Sequence, residues 1–404
     1  MLAETDPEGY RGSEMKMIAD NTANIQYSKI RKMFNKALQY ENPINFTIGE
    51  PDFITSDHVA AAACKAILEG KSKYSENAGI KPLREAISRY LKQEIGMCYS
   101  PEYEITVNVG AMNSIFEGLK AVIDSSDEVI VIEPCWTNYI QQIQMCGGKP
   151  VSVCADLEND FSLDIDAIRN AITEKTKLII INSPCNPTGT VLDRKMLAKL
   201  AELVNENDLL VISDEVYKHI LFDDNTFTSI STFPGMRERT LVVDSFSKTF
   251  AMTGFRVGYA AGPSEWVKNI TKLQENVTAC AAMPCQYAAL AALEGTREHL
   301  YYMVESYRKR RDYLAERIAK MPLLKYNKSK GTFYAFLSIK ETGMSSEAFA
   351  EKLLEEEQVV VVPGNAFGDY GEGYIRISFA SAMENIRIGM DRLEAFMQRI
   401  AESR

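Results

Sequence analysis

The chain has 404 residues, of which 46% are apolar and 25% are charged, so its composition is that of a globular protein rather than a disordered one. The 55 acidic residues outnumber the 45 basic ones, and the resulting net charge of −10 argues against a protein that binds nucleic acid or a membrane surface. At roughly 150 residues per domain, the length predicts two or three folded units.

The sequence also bears on compartment and metal content. No apolar run approaches the roughly 18 residues of a membrane span, and the polar start lacks the apolar stretch of a secretory signal, so we expect a cytosolic protein. The 8 cysteines form neither a CxxC pair nor a zinc spacing, which is typical of reduced thiols. The 3 histidines lie far apart, so we expect no metal site and no Ser-His-Asp triad.

The middle of the chain, residues 104–262, alternates short apolar runs with helical patterns. Several runs are rich in Val and Ile throughout, as expected for strands that are covered on both faces. We therefore predict an α/β domain with a mostly parallel seven-stranded sheet sandwiched by helices. The predicted strands are residues 104–110, 128–133, 150–155, 177–183, 209–215, 240–247 and 256–262, and the helices between them include 113–123 and 193–205.

The two chain ends follow a different pattern and predict a smaller α+β domain. We expect residues 1–47 and 291–404 to form this domain, and residues 48–290 to form the large α/β domain. The predicted elements outside the central block are helices at 20–45 (ending before Asn42-Pro43), 284–320, 346–357 and 383–402, and strands at 331–339, 358–364 and 374–380.

Ligands of open α/β sheets bind beyond the carboxyl ends of the strands, so the residues that follow the predicted strands are the candidates for a site. They come from five strands and could converge on one edge of the sheet. These candidates are Gly110, Ala111, Met112, Trp136, Asn186, Asp214, Tyr217, Ser245, Ser247, Lys248 and Arg256.

Several of these candidates also have an ordinary structural interpretation. Gly110 is either a plain turn or a glycine whose neighbouring backbone N–H groups bind a phosphate at a helix start. Trp136 taken alone is more typical of a core residue. Asn186 lies in an Asn-Pro-Thr-Gly run, which is also the composition of a simple turn.

Asp214 and Lys248 are less readily assigned a structural role, because each ends an apolar strand. A buried carboxylate needs a partner, so we expect a cation next to Asp214, either an internal Arg or Lys or a protonated ring nitrogen of a cofactor. A lysine in a partly desolvated site loses affinity for its proton and can form imines with carbonyl compounds, although most lysines are solvated surface charges. Lys248-Thr249 lacks the preceding glycines of a P-loop.

Arg376 lies in the predicted strand YIRISFA, in which alternate residues point to opposite faces. One interpretation places Arg376 on a solvated sheet face. The other is a guanidinium that binds a substrate carboxylate through two parallel hydrogen bonds.

Taken together, these residues resemble the fold-type-I pyridoxal-phosphate-dependent aminotransferases of class I and II. The resemblance runs from residue 47 to residue 380, and its GEPDF and FSKTFAMTGFR segments are most similar to the bacterial aspartate/aromatic branch. The stretches that carry it are TIGEPDF (47–53), KYSENAGIKPLREAI (73–87), SPCNPTG (183–189), SDEVY (213–217), SFSKTFAMTGFRVGY (245–259), VVPGNAFG (361–368) and YGEGYIRISFA (370–380).

The resemblance implies pyridoxal 5′-phosphate as cofactor and assigns roles around its ring. Lys248 would hold the cofactor as an imine and later move a proton between the substrate and the cofactor. Asp214 would pair with the pyridinium nitrogen. Tyr217 and Asn186 would bind the phenolic oxygen, and Trp136 would stack on the ring.

The resemblance also implies how the phosphate and the substrate are bound. Arg376 and Asn186 would hold the α-carboxylate of the substrate, with Gly49 lining that end. The family shares its sites across a homodimer, so Tyr74 would reach the phosphate of the partner subunit. The expected phosphate ligands in this chain are the backbone N–H groups of Gly110, Ala111 and Met112 and the side chains of Ser245, Ser247 and Arg256.

Met112 departs from the pattern of the aspartate-type relatives, which often carry a basic residue directly after the Gly-Ala pair. The departure favours a neutral, aromatic or long-chain amino donor over aspartate. The expected function is transfer of the α-amino group of an L-amino acid, either neutral or aromatic or aspartate-like, to a 2-oxo acid such as 2-oxoglutarate, by ping-pong chemistry through pyridoxamine phosphate. The alternatives are a C–S lyase or decarboxylase on the same fold and, less favoured, a non-catalytic regulator.

Overall fold

The computed structural model describes residues 17–18, 25, 27–156 and 159–403. The strands in these residues form one sheet of seven strands, one of four and a two-stranded pair. None of the helices in these ranges combines the length and the apolar character that a membrane span requires.

A short helix and a short strand open the described chain. Helix α1 (Lys29–Ala37) begins at Ser28, whose hydroxyl accepts a hydrogen bond from the Arg31 backbone N–H at 3.4 Å. Strand β1 (Ile44–Asn45) then pairs with a strand near the C-terminus. Helices α2 (Asp57–Leu68) and α3 (Lys81–Ile95) lead to the large sheet.

The helix predicted within residues 20–45, ending before Asn42-Pro43, is longer than the one observed: α1 covers only Lys29–Ala37, and residues 20–24 and 26 lie outside the described residues. Asn42 has a positive φ of 60°, and Pro43 restricts the residue before it to extended conformations. Both features exclude a helix at these two positions, but α1 already ends at Ala37, and turns and bends lead from it to β1.

All seven predicted strands of the large sheet are confirmed. The sheet order is β2-β8-β7-β6-β5-β3-β4, and only β8 runs against the other strands. The carboxyl ends of β2, β3, β5, β6 and β7 therefore meet at one edge, and the start of β8 lies at that edge too. The strands are β2 (Ile105–Asn108), β3 (Glu128–Glu133), β4 (Lys149–Cys154), β5 (Thr176–Asn182), β6 (Leu210–Asp214), β7 (Thr240–Ser245) and β8 (Gly258–Ala261).

Helices cover both faces of this sheet, as the Val- and Ile-rich strands predict. Along β3, Val129 and Val131 pack into one core while Ile130 packs into the core on the other face. Each of these side chains is fully buried and stabilises the fold by about 1.5–3 kcal/mol. The helices of this region are α4 (Ala111–Val122), α5 (Asn138–Met145), α6 (Ile165–Ala171), α7 (Arg194–Glu206), α8 (Phe246–Thr249), α9 (Ser264–Val277) and α10 (Met283–Glu294).

The C-terminal part contains the antiparallel four-stranded sheet, with the order β12-β13-β10-β9, and its own large apolar core. Strand β11 pairs in parallel with β1, so the N-terminal segment joins this part of the molecule. Its elements are α11 (Glu298–Ile318), β9 (Lys325–Tyr326), β10 (Tyr334–Ser338), α12 (Ser346–Glu357), β11 (Val359–Val360), β12 (Val362–Pro363), β13 (Tyr374–Ser378) and α13 (Met383–Glu402).

The prediction of one helix over residues 284–320 is wrong, because α10 and α11 are separate. Gly295 leaves the helix with an extended backbone, at ψ −176°. A Cβ at this position would lie 2.2 Å from Nε2 of His58 in α2, so only glycine allows the close approach.

The fold is therefore a large α/β part and a smaller α+β part that both chain ends build. The ion pair of Lys29 with Glu347, at 3.0 Å, and a contact of Lys36 with Glu351 fasten α1 to α12. The boundaries at 47/48 and 290/291 stay predictions.

Candidate active site

A cavity of about 630 Å³ opens at the edge where the strands end, and we call it the central cavity. All of the sequence-predicted site residues line it except Gly110, which lies directly behind the wall, and Tyr74. The predicted residues that line it are Gly49, Ala111, Met112, Trp136, Asn186, Asp214, Tyr217, Ser245, Ser247, Lys248, Arg256 and Arg376.

Lys248 reaches into the central cavity from α8, directly after β7. Its Nζ donates a hydrogen bond to the Gly49 carbonyl at 2.6 Å and lies 5.9 Å from the centre of the Tyr217 ring. Burial lowers the pKa of the lysine to about 8, partly opposed by the attraction of Glu50. A large fraction of the amine is therefore neutral near pH 8 and available as a nucleophile or base.

Asp214 ends β6 and is 4% exposed. Its Oδ2 accepts a hydrogen bond from the Tyr139 hydroxyl at 2.5 Å, and its Oδ1 accepts one from the Val216 backbone N–H at 3.2 Å. Burial raises the pKa of Asp214 to about 6. No Arg or Lys of the described chain forms an ion pair with it, so of the two expected partners the internal cation is not found, and Asp214 lines the cavity.

Arg376 lies on β13 and is 2% exposed, so the solvated-face interpretation is wrong. Its guanidinium donates to Asn186 Oδ1 at 2.9 Å and to the Thr47 carbonyl at 2.7 Å, while its Nε has no partner among the described residues. The Tyr334 ring lies 4.3 Å from the guanidinium carbon. A fixed, buried guanidinium of this kind suits a carboxylate ligand.

A polar cradle lies at the start of α4. Gly110 has a φ of 79°, and a Cβ there would lie 2.7 Å from Nη2 of Arg256. The Ser245 hydroxyl donates to Ser247 Oγ at 2.8 Å. The start of α4, two hydroxyls and a guanidinium thus share one part of the cavity wall, which is a suitable environment for a phosphate.

Trp136 and Tyr74 differ in their placement. Trp136 is partly buried on the wall of the central cavity and meets the Tyr139 ring edge-on, with the ring centres 5.3 Å apart. Tyr74 is 86% exposed and does not line the cavity. Its expected role depends on a partner subunit and stays a prediction.

Two tyrosines in the site were missed by the sequence reasoning. Tyr139 holds Asp214, and the Tyr334 hydroxyl shares a hydrogen bond of 2.9 Å with that of Tyr217. Tyr139 is the third residue after Trp136, and Tyr334 lies in a predicted strand, but nothing in either local pattern separates them from core tyrosines.

Comparison with known proteins gives a consistent result. A sequence model of the family described as aminotransferase class I and II matches residues 41–393. The chain is 43% identical to the aspartate aminotransferase of Pyrococcus abyssi, over 94% of this chain and 98% of that protein. It is 40% identical to aromatic-amino-acid aminotransferase 2 of Thermococcus litoralis, again over 94% and 98%.

A solved structure is also similar to this chain. The aspartate aminotransferase from Thermus thermophilus with maleate matches with a TM-score of 0.90 and 36% identity, over 94% of this chain and 100% of that chain. The fold and the arrangement of its two parts are therefore those of the aspartate aminotransferases.

Proposed function

Because this chain belongs to the class I and II aminotransferases, we propose that its amino donor is an aromatic or other neutral L-amino acid and its acceptor a 2-oxo acid such as 2-oxoglutarate. The chain is an aminotransferase that depends on pyridoxal 5′-phosphate, as enzymes of this class do. Its substrates are an amino acid and a 2-oxo acid. The identity of the donor and the role of each residue are the proposal.

The central cavity fits pyridoxal phosphate in three respects. It holds an amine whose pKa burial lowers to about 8, at Lys248. It holds a buried carboxylate, Asp214, that has no cationic partner among the described residues. The cradle at Gly110 has no space for a side chain and carries donors suited to a phosphate. When bound, pyridoxal phosphate supplies an amine-reactive aldehyde and a ring that accepts electrons.

Lys248 is the residue that would attach the cofactor and move the proton. Its neutral amine would be the nucleophile that attaches the cofactor aldehyde, and its Nζ would take a proton from the substrate Cα. The Gly49 carbonyl accepts a hydrogen bond from this Nζ and so orients the free amine.

Asp214 would hold a protonated ring nitrogen in place. A carboxylate with no cation beside it gains a charge-assisted hydrogen bond from such a nitrogen, and this interaction lowers its pKa from the raised value. Tyr139 fixes the carboxylate orientation. Tyr217 and Asn186 would donate hydrogen bonds to a phenolic oxygen, and Trp136 would lie against the ring.

Arg376 would bind the α-carboxylate of both substrates. Asn186 and the Thr47 carbonyl hold its guanidinium, so little side-chain entropy is lost on binding. The α-carbon of a bound amino acid then stays in one orientation for successive proton transfers.

The wall beyond this anchor supports a neutral or aromatic donor. Met112, 40% exposed, lies where a basic residue would attract a second carboxylate, and Ile30, Phe34 and Ile48 add further apolar surface to the cavity. A methionine adapts its shape to varied apolar side chains. This apolar wall is the observation that carries the choice of donor.

A panel of amino acids tested in single-turnover mode would check the donor. Each is mixed with the yellow holoenzyme, and the loss of the internal chromophore is followed by absorbance. We expect phenylalanine, tyrosine or leucine to react with a higher kcat/KM than aspartate. A panel in which aspartate is preferred would overturn the choice. Release of pyruvate and ammonia from a β-substituted amino acid without amino transfer would instead support a lyase.

The attachment site has its own test. Borohydride treatment of the holoenzyme followed by peptide mapping should place the modified residue at Lys248, and an adduct at another lysine would refute the role.

We further propose that the enzyme is a cytosolic homodimer in which Tyr74 contacts the site of the partner subunit. The exposure of Tyr74 supports this arrangement.

A further inference from the structure

One cation on the central cavity has no role in the proposed chemistry. Among the described residues, four cationic side chains line the cavity: Arg31, Lys248, Arg256 and Arg376. The last three are assigned to the cofactor aldehyde, its phosphate and the α-carboxylate. Arg31 is left over, and it lies on the same wall as the apolar residues that favour a neutral donor.

The placement of Arg31 follows from how α1 is docked. Met33 and Ala37 are buried against the C-terminal core, and Lys29 and Lys36 are paired with acidic residues of α12. These four residues form one face of the helix. At 100° per residue, the next face carries Ile30, Phe34 and Arg31, and these are the α1 residues that line the cavity. Arg31 thus faces the cavity because the opposite face of α1 packs against the C-terminal core and α12.

The Arg31 guanidinium is free to bind an anion. It forms no ion pair within the described chain, whereas Lys29 and Lys36 on the same helix both do. Its carbon lies 5.5 Å from the centre of the Phe34 ring, which supports the side chain without neutralising its charge. Glu50 also lines the cavity, but its carboxylate accepts a hydrogen bond from Thr253 Oγ1 at 3.1 Å.

A ping-pong aminotransferase binds both of its substrates in the same cavity, one after the other. A wall of Met, Ile and Phe alone would leave the second carboxylate of a dicarboxylic substrate desolvated and without a partner, which is strongly unfavourable. An arginine at the rim can pair with that carboxylate, yet stay in solvent while an apolar side chain is bound.

We propose that Arg31 binds the distal carboxylate of dicarboxylic substrates, so that one cavity accepts both a neutral or aromatic amino acid and a five-carbon dicarboxylic partner. This inference rests on the proposed function, since it assumes that Arg376 holds the α-carboxylate. In this chain the cation for the second carboxylate then comes from α1, and the position after Gly110-Ala111 is left apolar.

Half-reactions of the holoenzyme test the proposal. Arg31→Gln should lower kcat/KM for glutamate, and for 2-oxoglutarate in the reverse half-reaction, by about tenfold or more, because it removes a charge-assisted contact. The kcat/KM for phenylalanine should stay within about twofold. Arg31→Lys should recover part of the loss, since it keeps the charge but not the two-pronged geometry. Both variants change one solvent-exposed helix residue, so folding should be retained.

The matched control is Lys32→Gln, which removes one positive charge from the neighbouring position without lining the cavity. If it lowers glutamate turnover as much as Arg31→Gln, the effect is general electrostatics and the proposal fails. Equal losses for glutamate and phenylalanine in Arg31→Gln would also overturn it, because they indicate a helix that has moved. If the wild-type enzyme does not react with any neutral donor, the proposed function is wrong instead. The wild-type enzyme is therefore tested with neutral donors before any variant is made.

Discussion

At the residue scale, the chemistry of Lys248 depends on its burial. Its pKa of about 8 predicts that cofactor-free enzyme takes up pyridoxal phosphate with a rate that rises with pH and levels off above about 8. A solvated lysine would show no plateau below about 10. Stopped-flow absorbance at a series of pH values measures the rate, and a continued rise through pH 10 would contradict the prediction.

The same shift fixes the sign of a stability effect. The ordinary pKa of 10.5 applies to the unfolded chain, so between about 8 and 10.5 the unfolded state binds the extra proton. The contribution of Lys248 to the stability of cofactor-free enzyme therefore increases with pH across that window. Lys248→Met should remove this slope from a plot of the free energy of unfolding against pH.

Tyr139 is a positioning residue for Asp214. Tyr139→Phe removes the hydrogen bond that favours the ionised carboxylate, so the pKa of Asp214 should rise further above about 6. We expect kcat to fall by roughly tenfold and the acidic limb of the pH profile to move to higher pH. A merely structural loss would lower kcat without moving that limb.

How far these residues could be predicted depends on their partners. Lys248 and Asp214 were predictable, because a charged side chain at the end of a buried strand needs either an ion-pair partner or a ligand. Tyr139 was not, since its role exists only when the start of α5 lies beside the end of β6, although β5 separates β6 from β3 in the sheet. The two orientations of Arg376 could not be separated either, because a strand pattern does not tell whether a second layer covers the polar face.

At the element scale, the start of α4 is the part of the site most sensitive to a small change. Gly110→Ala places a methyl group at a φ of 79° and 2.7 Å from Arg256 Nη2. We expect cofactor affinity to fall by about tenfold or more, since the guanidinium must move away from the cradle. Equilibrium dialysis of pyridoxal phosphate measures this loss.

Gly96→Ala is the matched control for Gly110→Ala. Gly96 ends α3 with a φ of 73° and a ψ of 6°, so an alanine there is also strained, although less than at Gly110 with its ψ of 166°, and nothing lies within 4 Å of the added methyl group. It should lower the free energy of unfolding by about 1–2 kcal/mol and leave cofactor affinity unchanged. Equal affinity losses in both variants would show that strain, not the Arg256 contact, causes the effect.

The element boundaries show where sequence patterns stop being informative. The strands of the large sheet follow from local apolar runs, because both faces are covered. The break between α10 and α11 does not, since Gly295 is required by the approach of His58 from a distant helix. The segment after α1 is likewise fixed by a distant partner, because β1 pairs with β11 more than 300 residues away, and no local pattern shows this pairing.

At the scale of the whole molecule, the cavity is closed by contacts between the two chain ends and the sheet. Arg376 forms hydrogen bonds with Thr47, 329 residues away in the sequence, and with Asn186, 190 residues away. Lys248 forms a hydrogen bond with Gly49, 199 residues away. The positions of the strand ends predict which residues share one edge of the sheet. They do not predict which loops of the small part cover those residues, and that information came from the family resemblance.

The proposed homodimer can be tested by mixing two defective subunits. Lys248→Ala removes the amine from its own site, whereas Tyr74→Ala should damage the site of the partner. In a mixed dimer, one site then contains both substitutions and the other contains neither. Random reassociation of equal amounts should restore roughly a quarter of wild-type activity, because half of the dimers are mixed and each has one intact site.

Reassociation after mild denaturation, with activity and mass measured on the same sample, provides the readout. Refolding each variant alone is the control and should give no increase in activity. Tyr74 is 86% exposed in the single chain, so its substitution should not alter folding. If mixed dimers form but activity stays at the level of the separate variants, each subunit supplies its own site completely and Tyr74 has no role in the partner.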